Sequence, residues 1–208
     1  MTNNQVFIRE NTNFCMQNVF FMKEPLIYAD KNISFVALNQ RQLRSAIDFS
    51  INTILAKQKN GVILVSFSEN GEEIMGNISS DYAERLIIID AFSKENEIPS
   101  IKNIIRVSNP SDLTSVQISI ERAQKILGGE KTILIDALNV LAVYNKKEIL
   151  GKFLHLFSNK TRFQGNSSII FTVKESTDQE IIDMVKEFSD RSYDYSDLFV
   201  SAIALAES

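Results

Sequence analysis

Cysteine is nearly absent from this chain, and tryptophan wholly so. The single Cys15 excludes an internal disulfide and a cysteine-rich zinc site. It sits between Phe14 and Met16 with no neighbour that would lower its thiol pKa, so a packing role is expected. The lone histidine, His155, falls in the helical pattern KEILGKFLHLFSNK and has no second histidine to work with, so it too is read as structural. An excess of basic charge is missing: 22 lysines and arginines face 26 acidic residues, for a net charge of −4. That balance, with no basic helix and no helix-turn-helix pattern, argues against nucleic acid as a partner. No apolar run approaches the roughly 20 residues needed to cross a bilayer. The opening MTNNQVFIRENTNF has no basic stretch leading into an apolar one, so no signal peptide is read there and the expected location is the cytoplasm. With three prolines, seven glycines and no low-complexity tract, nothing marks a linker. One domain over residues 1–208 is expected, with residues 1–24 as an arm whose Phe7, Phe14, Phe20 and Phe21 pack on the domain or on a neighbour.

What is present alternates between short apolar runs and amphipathic stretches, the mark of an α/β protein with a mostly parallel sheet and helices on both faces. Strands are expected at PLIYAD (25–30), ISFVAL (33–38), GVILVSFSE (61–69), LIIID (86–90), IIRV (104–107), KTILIDAL (131–138) and SSIIFTV (167–173). The run 131–138 is the most hydrophobic and is placed at the centre of the sheet. Helices are expected from an Asn39 cap through Lys57, within GEEIMGNISSDYAER, near 112–127, over 146–160 and over 177–189. The first of these puts Leu43, Ile47, Ile51, Ile54 and Leu55 on its apolar side. The terminal YSDLFVSAIALAES reads as an edge strand or a short helix, the helix being preferred.

Residues 33–57 have the strand–turn–helix setting of a phosphate-binding loop, G-x-x-x-x-G-K-[ST]. On that template Leu38 and Leu43 stand where the glycines belong, Arg44 stands for the lysine and Ser45 for the hydroxyl. Glycines let backbone N–H groups curl around a phosphate with no Cβ in the way, and leucines do not. Asp136 ends the apolar run ILID, a position from which a carboxylate can hold Mg²⁺ beside phosphates or simply serve as a turn residue. Glu69, after the second strand, is placed to polarise a water or to close a turn. Arg41 and Arg44 either grip a phosphate or form the solvated face of their helix. A further reading has these arginines and the strand-end carboxylates meeting as salt bridges that fill the phosphate position.

The segments ISFVALNQRQLRS, GVILVSFSE, LIIIDAFS, SNPSDLTSVQISIERAQ, KTILIDALNVLAVYNKKEILGKFLHLF and GNSSIIFTVKES together resemble the RecA/KaiC-type ATPases of archaea and bacteria over most of residues 33–190. The resemblance implies a three-layer α/β/α fold, a divergent archaeal member, and a degenerate Walker A motif. It places Asp136 as the Walker B aspartate. It sets Ser68 and Glu69 against a pair of glutamates, so one of that pair is absent. The implied function is a non-catalytic regulatory or signalling module with no cofactor, working with a protein partner or as a homo-oligomer. The alternatives are an ATPase that binds nucleotide and Mg²⁺ at a rebuilt site of Arg41, Arg44, Ser45 and Asp136, or an inactive subunit beside an active ATPase.

Overall fold

The computed structural model of the chain describes residues 32–93 and 102–197. The sequence reading at 25–30, the arm at 1–24 and the end of the chain from 198 lie outside them. Seven strands form one sheet: β1 (Ile33–Leu38), β2 (Gly61–Ser66), β3 (Leu86–Asp90), β4 (Ile104–Arg106), β5 (Lys131–Ile135), β6 (Ser167–Val173) and β7 (Arg191–Asp194). Their order is β4-β3-β2-β5-β6-β1-β7, and every pairing is parallel. β5 is therefore the middle strand, as its hydrophobicity requires. Parallel strands covered on both faces read as continuous apolar runs, and β1, β2, β3, β5 and β6 are buried at every position.

Six α-helices connect them: α1 (Gln40–Lys57), α2 (Gly71–Gly76), α3 (Leu113–Leu127), α4 (Leu138–Tyr144), α5 (Lys147–Phe163) and α6 (Gln179–Phe188). Right-handed crossovers send α1 and α2 to one face of the sheet and α3, α5 and α6 to the other. The result is the expected three-layer arrangement, with all strands parallel.

Asn39 caps α1 as read from the sequence. Its side chain accepts from the Gln42 N–H while the Gln42 side chain accepts from the Asn39 N–H, a reciprocal capping box. The apolar stripe of α1, Leu43, Ile47, Ile51, Ile54 and Leu55, is buried as expected. α3 is capped by Asp112 and stopped at Gly128, whose φ of 59° suits a residue without Cβ.

Three strand ends differ from the sequence reading, and one strand is new. β2 ends at Ser66 because the chain turns there under Asp136, and β4 ends at Arg106. The run at 131–138 stops as a strand at Ile135, and Leu138 already opens α4. The short strand β7 was not anticipated, since RSYD carries no apolar alternation. It is an edge strand held by β1 rather than by its own hydrophobicity.

Candidate functional site

In open parallel sheets, ligands bind outside the carboxyl ends of the strands where the chain's direction of travel diverges. Here the chain leaves β2 toward β3 and leaves β5 toward β6, so the crevice belongs between the ends of β2 and β5. Asp136 occupies it. The residue is buried, and its N–H donates to the Val65 carbonyl at 3.1 Å, continuing the sheet by one step. Oδ1 accepts from the Phe67 N–H at 2.8 Å. Oδ2 accepts from the Ser66 hydroxyl at 2.7 Å, the Ser68 hydroxyl at 2.7 Å and the Ser68 N–H at 3.2 Å. Ser66 Oγ in turn receives the Glu69 N–H and lies 2.9 Å from the Glu69 carbonyl. Burial pushes the Asp136 carboxyl above its ordinary pKa, although the donors from Phe67, Ser68 and Ser66 pull the other way. Both oxygens are therefore committed to the loop after β2.

Beside this hub lies a cleft of about 170 Å³ lined by Gln40, Leu43, Arg44 and Ile47 of α1, Leu64 of β2, Ser68, Glu69, Ile74 and Asp136. Arg44 reaches across it. Its guanidinium forms an ion pair with Glu69, and its Nε donates to Asp48 Oδ2 at 2.8 Å, one helical turn on. Burial raises the Asp48 carboxyl above its usual pKa, opposed by the hydrogen bond and charge of Arg44. Arg44 Nη2 and Asp48 Oδ1 are buried and find no hydrogen-bond partner.

The sequence candidates thus divide. Asp136, Glu69 and Arg44 come together at one cleft. Arg41 is exposed and Ser45 half-buried, and neither lines it. Leu38 ends β1 and Leu43 lies in the first turn of α1, both buried, so only Asn39 separates the strand from the helix. Asp48 and Ser66 were missed. The first could have been found as an acid at i+4 from Arg44, and the second as the polar residue ending an otherwise apolar strand. His155 is on the exposed face of α5, bonded to Asn159.

The donor set does not match what a magnesium nucleotide requires. Such a ligand needs open backbone N–H groups, a free cation and a carboxylate facing the metal's water shell. The strand-to-helix junction is one residue long, Arg44 is held by two carboxylates, and Asp136 has both oxygens bonded within the protein. The cleft is also smaller than the roughly 300–1,000 Å³ usual for small-molecule pockets. Among the described residues no cluster of histidine, cysteine and acidic side chains could hold a metal ion, and no helix is long and apolar enough to cross a membrane.

No family model and no curated protein matches the sequence. Solved structures do. A KaiC-like protein from the hyperthermophilic archaeon Pyrococcus horikoshii OT3 aligns with a TM-score of 0.55 and 10% identity, covering 81% of this chain and 73% of that one. A second protein of Pyrococcus horikoshii OT3, known from a structural study, aligns at 0.54 and 12% identity over 86% of this chain and 87% of its own. An uncharacterised protein from Pyrococcus horikoshii, solved in complex with an unknown peptide, aligns at 0.58 and 14% identity over 78% and 76%. Identities this low speak to architecture alone, and the chain has the three-layer RecA-type fold found in a KaiC-like protein.

Proposed function

We propose that this chain is a non-catalytic protein of KaiC-like fold, a regulatory or signalling module that acts through a protein partner or a second copy of itself and takes no nucleotide cofactor. The observation that carries the reading is the Arg44–Glu69 ion pair across the cleft, with Asp48 bracing the arginine from behind. A phosphate-handling site keeps its cation available to the ligand, because phosphoryl transfer depends almost wholly on positioning and charge. Among the described residues Arg44 is the cation lining the cleft, and it is neutralised by the carboxylate that would otherwise activate water. The degenerate Walker A reading is supported by the junction at Asn39, where a cradle would need several flexible residues. The peptide bound to one of the similar structures lends weight to protein recognition as a use of this fold.

Titration calorimetry with ATP and ADP, each with Mg²⁺, tests the proposal. The expected result is no saturable heat at ligand concentrations up to the millimolar range. Micromolar binding would overturn it, and loss of that binding in Arg44→Ala with unchanged circular dichroism would move the function to a rebuilt phosphate site.

A further inference from the structure

The helical layer formed by α3, α5 and α6 leaves an apolar stripe uncovered. On α5, Ile149, Leu156 and Phe163 follow one another at seven-residue intervals and share one face of the helix. They are 50%, 56% and 94% exposed, respectively. Ile118 and Ile126 of α3 are exposed as well, and the ion pair between Lys160 and Glu121 ties the two helices side by side. At the Phe163 end a groove of about 570 Å³ opens, lined by Glu121, Asn159, Lys160, Phe163 and Gln164. Single exposed apolar residues are ordinary, but large ones repeating along one side of a helix mark a surface that something covers.

The chain's own beginning is delivered to this spot. Asn32 is the first described residue, and its carbonyl accepts from the Ser168 N–H at 3.0 Å, at the start of β6. α5 ends at Phe163 and β6 opens at Ser167, so Asn32 lies near the end of α5 from which the groove opens. The stripe runs roughly 20 Å at the helical rise of ~1.5 Å per residue. An arm with the same helical rise would set residues seven apart at the spacing of the stripe. Phe7, Phe14 and Phe21 repeat at the same seven-residue interval as the stripe, and residues 11–22 carry no charge.

We propose that residues 1–24 dock on the α3–α5 groove of their own chain, setting Phe7, Phe14 and Phe21 along Ile149, Leu156 and Phe163. A second copy fits less well. Two α5 helices related by a two-fold axis at Leu156 would bring Lys152 of each against the Lys160–Glu121 pair of the other, taking three charged groups out of water at each end of the contact. Residues 11–22 of the arm, which hold Phe14 and Phe21, carry no charge and bring no such cost.

The single cysteine makes the test direct. The full chain carrying Asn159→Cys, a position in the groove, is treated with a short bismaleimide to join it to Cys15. The same is done with Lys57→Cys, which sits at the end of α1 on the opposite face of the sheet. Expected is a cross-link within one chain, read by intact mass and gel mobility. It should form roughly tenfold faster at the groove than at the control position, as an effective-concentration difference predicts. In a chain also carrying Phe7→Ser, Phe14→Ser and Phe21→Ser that preference should vanish. A covalent dimer would assign the groove to a second copy and overturn the proposal. Equal reaction at both positions, or none at either, would overturn it as well.

Discussion

Asp136 does at the residue scale what a metal-holding carboxylate cannot do at the same time: it accepts four hydrogen bonds from the protein. Deleting it leaves the buried Phe67 N–H and the Ser66 and Ser68 donors without a partner. Each unsatisfied buried donor costs about 1–3 kcal/mol. Asp136→Ala is therefore expected to lower the free energy of unfolding by about 3–5 kcal/mol, read from the urea midpoint at constant slope. A residue kept only for a ligand would cost little. The pH dependence follows from the direction of its pKa. Burial holds the folded-state carboxyl above its ordinary value, against the pull of Phe67, Ser68 and Ser66. Such a group contributes stability that is present in full below the unfolded-state pKa and is lost as pH rises through the folded one. Asp136→Asn has no proton to lose, so the advantage of the wild type over this variant should be larger near pH ~4.5 than near pH ~8. Urea unfolding of both proteins at the two pH values measures it, and a constant gap would count against the assignment.

At the scale of elements, the junction between β1 and α1 carries more than its single residue suggests. Asn39 closes the capping box with Gln42, and both side chains also reach the chain beyond β7. Asn39 Nδ2 donates to the Ser196 carbonyl and Gln42 Nε2 to the Tyr195 carbonyl, each at 3.1 Å. An ordinary cap removal costs about 1 kcal/mol, and the added tether raises the expectation for Asn39→Ala to about 2 kcal/mol. Asn39→Asp retains the cap acceptor but loses the donor to Ser196, and should cost about half as much, measured by thermal or urea unfolding. These elements also mark where the sequence spoke and where it was silent. ISFVAL, LIIID and SSIIFTV were legible to the residue because burial on both faces demands unbroken apolar runs, and those runs end where burial ends. The helix α4 was not legible. LNVLAVY follows β5 after two residues, and its apolar content reads as a continuation of the strand. β7 was hidden for the opposite reason, since RSYD is polar and is a strand through its hydrogen bonds to β1. At the cleft, Arg44, Glu69 and Asp136 were legible as charges at the carboxyl ends of strands or the start of a helix. That an arginine here would meet a strand-end carboxylate was among the readings, and Arg44–Glu69 is such a pair. The tie between Asp136 and the loop after β2 was not legible, because it depends on β2 and β5 lying side by side.

For the molecule as a whole, strand order decides which parts of the chain stand or fall together. β1, the first strand, lies between β6 and β7, which are made last. It pairs along its whole length with β6 and over Ser34–Ala37 with β7. Asp190 clamps its start, its N–H donating to the Ile33 carbonyl at 2.8 Å and its Oδ2 accepting from the Ile33 N–H at 2.8 Å. Tyr195 closes the other end through its N–H to the Ala37 carbonyl at 2.9 Å. Arg162 at the end of α5 donates to Asp190 Oδ1 at 3.0 Å, so the same acid ties the helical layer to the strand. A chain ending at Phe188 would lose all of these at once and turn the fully buried β1 into an apolar sheet edge, the kind of surface that templates aggregation. With several backbone hydrogen bonds forfeited at about 0.5–1.5 kcal/mol each, the loss should be on the order of 4 kcal/mol or more, a large share of a domain's net stability. The truncated protein is expected to unfold at a lower urea concentration and to elute with soluble aggregates in size-exclusion chromatography. Because the contacts of β1 are so distant in sequence, its refolding limb should also be slow for the protein's size, the full chain recovering its native signal only after β6 and β7 are in place. If the shortened chain instead keeps the midpoint and elution volume of the full one, β7 is ornamental and the sheet's cohesion resides in the six strands before it.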